Sequence, residues 1–269
     1  MIAVVDYQKG NLKSVERGLI AAGGEAFITA DASEIAKADA IVLPGVGAFA
    51  DAAATMCELG QMEVIRERVR AGVPFLGICL GEHLMFEHGV EGAPEGNPAC
   101  GLGLLPGTVV AMPRCDEQGT AFKVPHVGWN TIEMPACNGG AAIPPCGGVG
   151  GNAVLSSGGV GGGAARSSAA KRGLFEHGAF LDSTPQPGGG LAFACPLFDG
   201  IAPGEYFYFT HSYIAPTGSH TIAETTHSVR FTSAVQYGDR AFGVQFHPEK
   251  SSDAGARVLA NFVAIAARG

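Results

Sequence analysis

One pentapeptide, Gly77-Ile78-Cys79-Leu80-Gly81, puts a cysteine at the junction of two different segments. Before it, Val73-Pro74-Phe75-Leu76 is a short apolar run typical of a buried parallel strand. After it, residues 82–88 predict a helix, with the run Leu84-Met85-Phe86 available for packing. Small residues two positions to either side of the cysteine let strand and helix approach closely, as in a nucleophile elbow. The pattern therefore predicts an exposed nucleophilic thiol on a sharp strand-to-helix turn.

Two general properties bear on Cys79. The amino terminus of the predicted helix offers unpaired backbone N–H groups and the positive end of a helix dipole, and both favour a thiolate. Against this, most free cysteines in proteins are small buried hydrophobic residues. The pentapeptide alone leaves both interpretations open, so the rest of the chain has to decide between them.

Composition restricts the class of protein. The chain has 269 residues, enough for one large α/β domain or two small ones, and 46% of them are hydrophobic. A net charge of −8 disfavours nucleic-acid binding, and no apolar run reaches the ~18–20 residues of a membrane span. The start, Met1 to Asp6, lacks the basic segment of a secretory signal. Seven cysteines without a C-x-x-C pair fit neither a disulfide framework nor a zinc site, so we expect the reducing cytoplasm. We also expect no cofactor and no metal.

The first ninety or so residues alternate short apolar runs with segments of helical length. This order indicates βαβ units, a mainly parallel sheet and helices on both of its faces. We therefore predict an open α/β domain of flavodoxin-like type, whose loops at 6–11, 44–49 and 79–83 meet at the ligand-binding edge. The predicted strands are Ile2–Val5, Glu25–Thr29, Ala40–Leu43 and Phe75–Ile78, and the predicted helices cover about 14–22 and the region of Met62, Ile65 and Val69.

The second half of the chain has a different texture. Residues of about 136–194 are dominated by Gly, Ala, Ser and Pro, and they bury too little apolar surface to offset the entropy of ordering. We predict that they form a flexible surface insertion in a single domain of residues 1–269. The other predicted elements are β runs at 104, 109–110, 122–124 and 129–132, which indicate a small antiparallel portion, closing strands at 234–237 and 243–246, and a helix at 254–266.

A second segment with reactive side chains is Gly243-Val244-Gln245-Phe246-His247-Pro248-Glu249. Its strand-like residues end at His247, and Pro248 disfavours helix at that histidine. Glu249 is close enough in sequence to orient the imidazole, as in a Cys–His–carboxylate relay. A lone histidine is more often structural, but one at a strand end in a chain with a nucleophile elbow indicates a general base.

A third segment, Leu43-Pro44-Gly45-Val46-Gly47, follows a predicted strand. Its glycines allow backbone N–H groups to turn into a site, as an oxyanion hole requires. An ordinary glycine loop has the same composition, so this segment is weak evidence by itself.

Together the three segments resemble the class I (triad) glutamine amidotransferases, which carry a G-x-C-x-G elbow, a P-G-x-G loop and a late H-P-E. Three further segments are similar to the glutaminase subunits of imidazole glycerol phosphate synthases. They are Asp6-Tyr7-Gln8-Lys9-Gly10-Asn11-Leu12-Lys13-Ser14-Val15, Lys123-Val124-Pro125-His126-Val127-Gly128-Trp129-Asn130 and Tyr206-Phe207-Tyr208-Phe209-Thr210-His211-Ser212-Tyr213. The resemblance covers residues of about 1–135 and 195–269.

The resemblance implies a role for each matching residue. Cys79 would attack the carboxamide of glutamine, His247 would move the proton, and Glu249 would hold the imidazole. Backbone N–H groups of Leu80 and, after the loop rearranges, Val46 would bind the oxyanion. The implied glutamine-binding residues are Gly47, His83, Glu91, His211, Ser212 and Tyr213.

The resemblance also implies a partner. Ammonia would pass into a (βα)8-barrel cyclase, which joins it to a phosphoribosyl substrate and forms imidazole glycerol phosphate and an aminoimidazole carboxamide ribotide in histidine biosynthesis. The residues implied to face that cyclase subunit, in a heterodimer, are Asn11, His126, Trp129, Asn130 and Lys250.

One position departs from the family pattern. The glutamine that usually contacts the substrate is replaced by His83, which follows Glu82. An imidazole still donates or accepts one hydrogen bond, so we expect a weak contact with the substrate. A lost contact would cost ~1–1.5 kcal/mol, which affects affinity and not the chemistry. Three hypotheses remain open: a glutaminase subunit with a cyclase partner, a related amidotransferase or stand-alone Cys–His hydrolase, and a scaffold that no longer hydrolyses glutamine.

The remaining cysteines and histidines are not assigned a role. We expect Cys57, Cys100, Cys115, Cys137, Cys146 and Cys195 to be buried or incidental. We expect His88, His177, His220 and His227 to be solvated, and no spacing among these residues fits a metal site.

Overall fold

The computed structural model describes residues 1–135 and 192–268. The predicted insertion therefore lies outside the described residues except for 192–194, as do Cys137, Cys146 and His177, and the single-domain assignment stays a prediction. The strands are β1 (Ile2–Val5), β2 (Ala26–Thr29), β3 (Ala40–Gly45), β4 (Phe75–Cys79), β5 (Phe86–Gly89), β6 (Ala99–Cys100), β7 (Leu105–Ala111), β8 (His126–Thr131), β9 (Tyr206–His211), β10 (Tyr213–Ile214), β11 (Thr221–Thr226), β12 (Arg230–Tyr237) and β13 (Ala241–Val244). The helices are α1 (Leu12–Ala21), α2 (Ala32–Ile35), α3 (Phe49–Glu58), α4 (Gln61–Arg70), α5 (Leu80–His83) and α6 (Ser252–Ala266), with 3-10 turns at Pro196–Phe198 and Pro248–Lys250.

A seven-stranded sheet forms the centre of the described structure, in the order β11-β12-β13-β4-β3-β1-β2. β2, β1, β3, β4 and β13 are parallel, and β12 and β11 continue the sheet with antiparallel pairing. The parallel part has the strand order of flavodoxin-like folds, so the predicted α/β class is confirmed. A four-stranded sheet (β10-β7-β5-β6) and the antiparallel pair β8-β9 supply the smaller antiparallel portion.

Alternation along the strands sends side chains to both faces of the central sheet. Val4 belongs to an apolar cluster with residues of α1 and α6, whereas its neighbour Val5 belongs to a second cluster with α3 and α4. Every residue of β1, β3, β4 and β13 is buried, as expected for parallel strands covered on both sides. This double cover fixes the strand ends from which the site loops leave.

The helix predicted after Cys79 is wrong in extent. The helix α5 is a single turn, and the chain becomes extended again at Phe86. Phe86 is fully buried and pairs with Leu105 of β7, and a Cβ added at Gly89 would lie 2.4 Å from the ring of Phe49. Packing against β7 and α3 therefore overrides the local helix preference. The apolar run Leu84–Phe86 is buried, as predicted.

Two other differences between the structure and the predicted elements are confined to short segments. The β-like run 122–124 lies outside every strand, and the ring of Phe122 packs edge-on against His227 with centroids 5.2 Å apart. The strand β13 ends at Val244, two residues earlier than predicted, so Gln245 and His247 already belong to the loop at the sheet edge. In residues 1–135 and 192–268, no helix has the length and apolarity needed to cross a membrane.

Candidate active site

Cys79 ends β4 in a conformation that non-glycine residues rarely adopt, with φ +54° and ψ −106°. The glycines two positions away make this turn possible. A Cβ added at Gly77 would lie 2.5 Å from the carbonyl O of Gly81, and one at Gly81 would lie 1.8 Å from that of Leu43. The predicted sharp turn is therefore present, held by the close approach of β3, β4 and α5.

The thiol of Cys79 is recessed, with only 7% of the residue exposed, so the prediction of an exposed thiol is wrong for this conformation. The carbonyl O of Thr210 lies 3.9 Å from Sγ, and Nε2 of Gln245 donates to Sγ at 3.7 Å. Strand register explains the second contact. Val244 pairs with Ile78, so the residues that follow them leave adjacent ends of parallel strands.

His247 and Glu249 form a buried pair beside this edge. Nδ1 of His247 donates to Oε1 of Glu249 at 2.9 Å, and the two side chains are 4% and 2% exposed. The backbone of His247 is fixed as well, because its N–H donates to the carbonyl O of Tyr208 and its carbonyl O accepts from Oγ of Ser251. Its Nε2 is buried, and the Cys79 thiol is the group that acts on the imidazole besides Glu249, so that nitrogen is placed to take a proton from Cys79.

The electrostatics of His247 favour its charged form. Burial, the largest single influence, lowers the pKa of His247, but the Cys79 thiol group and the Glu249 carboxylate together raise it to about 9. An imidazole with this pKa is protonated at neutral pH. An imidazolium beside a cysteine is the charge arrangement of an activated thiol nucleophile.

The glycine loop lies against the same turn. Gly45, the last residue of β3, pairs with Cys79, so Val46 and Gly47 leave the sheet next to the thiol. Tyr7 packs under this loop, since a Cβ added at Gly45 would lie 1.9 Å from its hydroxyl O. Burial raises the pKa of Tyr7, so the phenol stays protonated. The three predicted site segments thus meet at the carboxyl edge of the sheet, with Leu80 directly after Cys79 at the start of α5.

Four of the implied substrate and interface residues form one hydrogen-bonded chain. Nδ1 of His211 donates to the carbonyl O of Tyr213 at 2.9 Å, Nδ1 of His126 lies 3.0 Å from Nε2 of His211, and Nδ2 of Asn130 lies 3.3 Å from Nε2 of His126. These bonds require the Nδ1–H tautomer on both rings. Burial lowers the pKa of His126 to about 4 and that of His211 to about 3, so both rings are neutral.

The other implied residues differ in their exposure. Ser212 is half-buried, and the backbone carbonyl of Glu91 accepts from the N–H of Ala50 at 3.0 Å. Burial raises the pKa of the Glu91 carboxyl. Among the implied interface residues, His126 is buried and Asn130 half-buried, whereas Asn11, Trp129 and Lys250 are exposed.

His83 contacts a residue that sequence reasoning did not single out. Its Nε2 donates to Oε1 of Gln245 at 2.6 Å, and His83 is 3% exposed. Burial, opposed by this hydrogen bond, lowers the pKa of His83 to about 4. One signal could have found Gln245: it precedes His247 by two positions, and alternate residues of an extended segment point to the same face.

The cysteines and histidines to which the sequence assigned no role differ in their exposure to solvent. Cys57, Cys100 and Cys115 are exposed and Cys195 is buried, while His88 and His220 are half-buried. The prediction of solvated side chains is wrong for His227 and for His220. The ring of His227 stacks on His126 at 4.2 Å, and its Nε2 donates to the carbonyl O of Lys123. The ring of His220 packs edge-on against Phe86, its Nε2 donates to the carbonyl O of Pro216, and burial lowers its pKa. Within 1–135 and 192–268, no group of three or more His, Cys, Asp and Glu side chains is placed to hold a metal ion.

Comparison with known proteins assigns this chain to a family. The family described as Glutamine amidotransferase class-I matches residues 3–143 and 150–266, and the chain belongs to it. Among curated relatives, the imidazole glycerol phosphate synthase subunit HisH of Moorella thermoacetica is 36% identical over 97% of this chain and 93% of that protein. The HisH subunit of Rhodopirellula baltica is 35% identical over 97% of this chain and 96% of that protein. The family resemblance of the sequence motifs is thereby confirmed.

Solved structures agree on the fold. A crystal structure of a glutamine amidotransferase superposes with a TM-score of 0.58 at 16% identity, covering 99% of this chain and 100% of that chain. The glutaminase domain of Trypanosoma brucei CTPS, solved with bound acivicin, gives a TM-score of 0.54 at 14% identity over 99% and 93% of the two chains. At these identities the likeness shows the fold alone.

Proposed function

We propose that this chain is the glutaminase subunit of an imidazole glycerol phosphate synthase. It hydrolyses glutamine to glutamate and ammonia and passes the ammonia to a (βα)8-barrel cyclase. The observation that carries the proposal is the strained Cys79 turn beside the buried His247–Glu249 pair, in a chain that is 36% identical to a HisH subunit. The alternatives, a stand-alone hydrolase and an inactive scaffold, predict different outcomes in the experiment below.

The reaction follows from the charges around Cys79. The thiolate attacks the side-chain carbonyl carbon of glutamine, and a C–S bond forms as the carbonyl π electrons move to oxygen. When the tetrahedral oxyanion collapses, the C–N bond breaks and His247 gives its proton to the leaving ammonia. Water then attacks the glutamyl thioester, with His247 as general base, and releases glutamate and the thiol. Glu249 keeps Nδ1 protonated throughout, so Nε2 is the nitrogen that exchanges protons with the reactants.

Backbone N–H groups stabilise the oxyanion in this scheme. The N–H of Leu80 follows Cys79 directly, and the N–H of Val46 belongs to the loop that leaves β3 opposite the thiol. One such donor is typically worth ~3–4 kcal/mol of barrier. We propose that the loop of Pro44–Gly47 rearranges to aim the Val46 N–H when the partner binds, and that Glu91, His211 and Tyr213 hold the glutamine.

An exposed face of the β8–β9 pair supports the proposed docking of the cyclase. Val127, Trp129 and Tyr206 are 56%, 51% and 56% exposed, and the pairings Val127–Thr210 and Trp129–Tyr208 put these side chains on one face. Thr210 on that pair also contacts Cys79, so the face adjoins the reaction centre.

We propose the cytoplasm as the compartment in which the protein works. Exposed thiols at Cys57, Cys100 and Cys115 support a reducing compartment of this kind.

The decisive experiment measures glutamate release from glutamine by the chain alone and with the cognate cyclase and its ribotide substrate. We expect slow basal release that rises by orders of magnitude in the complex. Full turnover without the cyclase would indicate a stand-alone hydrolase, and no release from an intact heterodimer would indicate a scaffold.

The variant Cys79→Ser tests the division of labour between the two subunits. It should abolish glutamine-dependent synthesis by the complex but leave ammonia-dependent synthesis intact. An equal loss of both contradicts the proposed division.

A further inference from the structure

We infer that Gln245 is a catalytic residue whose side-chain N–H stabilises the Cys79 thiolate, and that His83 is the positioning residue that holds this amide. The inference rests on the proposed function and deepens it, because it assigns His83 to the nucleophile rather than to bound glutamine. It also gives a role to the position at which this chain departs from its family.

The geometry of the Gln245 amide carries the argument. Gln245 is fully buried, with Nε2 3.7 Å from Sγ of Cys79 and Oε1 2.6 Å from Nε2 of His83. An amide nitrogen only donates and an amide oxygen only accepts, so this orientation presents an N–H to the sulfur. A thiolate is stabilised by that donor, whereas the opposite orientation would place the amide oxygen against its negative charge.

His83 supplies the donor that this orientation needs. A buried amide oxygen without a partner is costly, and Nε2 of His83 satisfies the oxygen of Gln245. The pKa of His83 is lowered to about 4, so the ring is neutral and carries one proton at neutral pH. Because Oε1 can only accept, that proton resides on Nε2. The protonated ring nitrogen and the amide orientation therefore fix each other.

The carbonyl of Thr210 explains why the Cys79 thiolate needs a further hydrogen-bond donor. Its oxygen lies 3.9 Å from Sγ and opposes a negative charge there, and the N–H of Gln245 offsets that effect. The ionisable side chains around Cys79 and His83 are unchanged in every variant used below. They are Tyr7 and His247 next to Cys79, Glu249 behind His247, and His211 next to His83.

The test measures the rate of Cys79 alkylation by iodoacetamide across pH, in the full chain without cyclase or glutamine. Site-specific peptide mass spectrometry separates Cys79 from the exposed thiols. In Gln245→Met we expect the pH midpoint of alkylation to rise by roughly one unit, about tenfold in thiolate fraction. His83→Leu should give a smaller rise in the same direction, and His83→Gln should restore the wild-type midpoint, because its amide again donates to Gln245.

A matched control is Gln236→Met on β12, whose Nε2 bonds the carbonyl O of Gly238 away from the site. It should leave the midpoint unchanged. An unshifted midpoint in a folded Gln245→Met variant overturns the inference. If that variant does not fold, equal midpoints in His83→Leu and His83→Gln overturn it instead. Alkylation requires no glutamine turnover. If these shifts occur but the wild-type chain releases no glutamate, alone or with the cyclase, the proposed function is rejected and the effect of Gln245 on the thiol is not.

Discussion

Among single residues, Glu82 of α5 carries a buried polar group that nothing compensates among residues 1–135 and 192–268. It is fully buried against β13, where a Cβ added at Gly243 would lie 2.7 Å from its Cγ and 2.8 Å from Sδ of Met85. Both carboxyl oxygens lack a hydrogen-bond partner among residues 1–135 and 192–268. Burial raises the pKa of Glu82 well above its ordinary value, so the folded protein keeps this carboxyl protonated.

We predict that Glu82→Met stabilises the chain by ~1–3 kcal/mol at neutral pH, because it removes a buried polar group without a partner. The gain should grow with pH. Above the ordinary glutamate pKa the unfolded chain ionises Glu82 while the folded chain holds the proton, so wild-type stability falls as pH rises. Thermal unfolding of both proteins between pH 4.5 and 7 measures this.

Glu58→Met, at an exposed position of α3, is the matched control and should show no pH-dependent gain. A lower melting temperature for Glu82→Met at pH 7 would show that the carboxyl has a stabilising partner after all.

The contribution of His247 to stability also falls as pH rises, but over a higher pH range. Its pKa is raised to about 9, so its charged form stabilises the fold fully below the unfolded value of about 6.5, and this contribution is lost as pH rises through about 9. Glu249→Gln keeps an acceptor for Nδ1 but removes the charge. We expect the variant to be less stable than wild type at pH 6 and the gap to close above pH 9, as measured by urea unfolding.

Glu205→Gln on the surface is the control for this measurement. A gap that stays constant from pH 6 to 10 would mean that Glu249 acts through packing and not through the charge of His247. We also expect Glu249→Gln to lower kcat for glutamate release, since the imidazolium is then less favoured.

At the scale of elements, the turn between β4 and α5 shows how far sequence patterns reach. The glycines at positions 77 and 81 predicted a close strand-to-helix approach, and the structure contains it. The length of α5 was not predictable from local sequence, because Leu84–Phe86 suits a helix as well as a strand. Contacts with Phe49 and β7, far apart in the chain, decide that Phe86 is extended.

The same turn supports a prediction on Gly81. A Cβ at this position would lie 1.8 Å from the carbonyl O of Leu43, which belongs to the buried backbone of β3 and cannot move aside. We therefore expect Gly81→Ala to cost about 3 kcal/mol or more and to slow Cys79 alkylation, since β3 and α5 must separate. Urea unfolding and the alkylation assay measure the two effects.

The control is Gly119→Ala, which has nothing within 4 Å of the added Cβ but a φ of +82°. It should cost only ~1 kcal/mol, from backbone strain alone, and leave alkylation unchanged. Similar losses for the two variants would mean that β3 and α5 accommodate the added methyl group, and that the close contact does not explain the need for glycine at 81.

Across the described structure, the order of elements was enough to predict where the loops of the candidate site meet. The carboxyl ends of β1, β3 and β4 carry the loops 6–11, 44–49 and 79–83, and register brings Gly45 opposite Cys79. Sequence reasoning missed Gln245 and the environment of His227 because both depend on contacts across more than 80 residues of chain, such as Gln245 with Cys79. The pairing of β8 with β9 likewise joins segments on either side of residues 136–191.

The exposed β8–β9 face is the surface on which we expect the cyclase to dock. Trp129 is 51% exposed, and its ring lies edge-on to Tyr208 with centroids 6.1 Å apart, so it projects from a surface that adjoins Cys79. Large exposed aromatic residues are the usual energetic centres of protein interfaces. We expect Trp129→Ser to raise the cyclase concentration for half-maximal stimulation of glutamate release by about tenfold or more.

A titration of each variant with cyclase measures this, and saturating cyclase should recover the wild-type rate because the reaction centre is intact. Val110→Ser changes a side chain of similar exposure (43%) on β7, outside the β8–β9 face, and should leave the titration unchanged. If Trp129→Ser and Val110→Ser both titrate like wild type, the cyclase docks on another surface. If Trp129→Ser instead lowers the rate at saturation, the face transmits partner binding to the Thr210–Cys79 contact in addition to providing affinity.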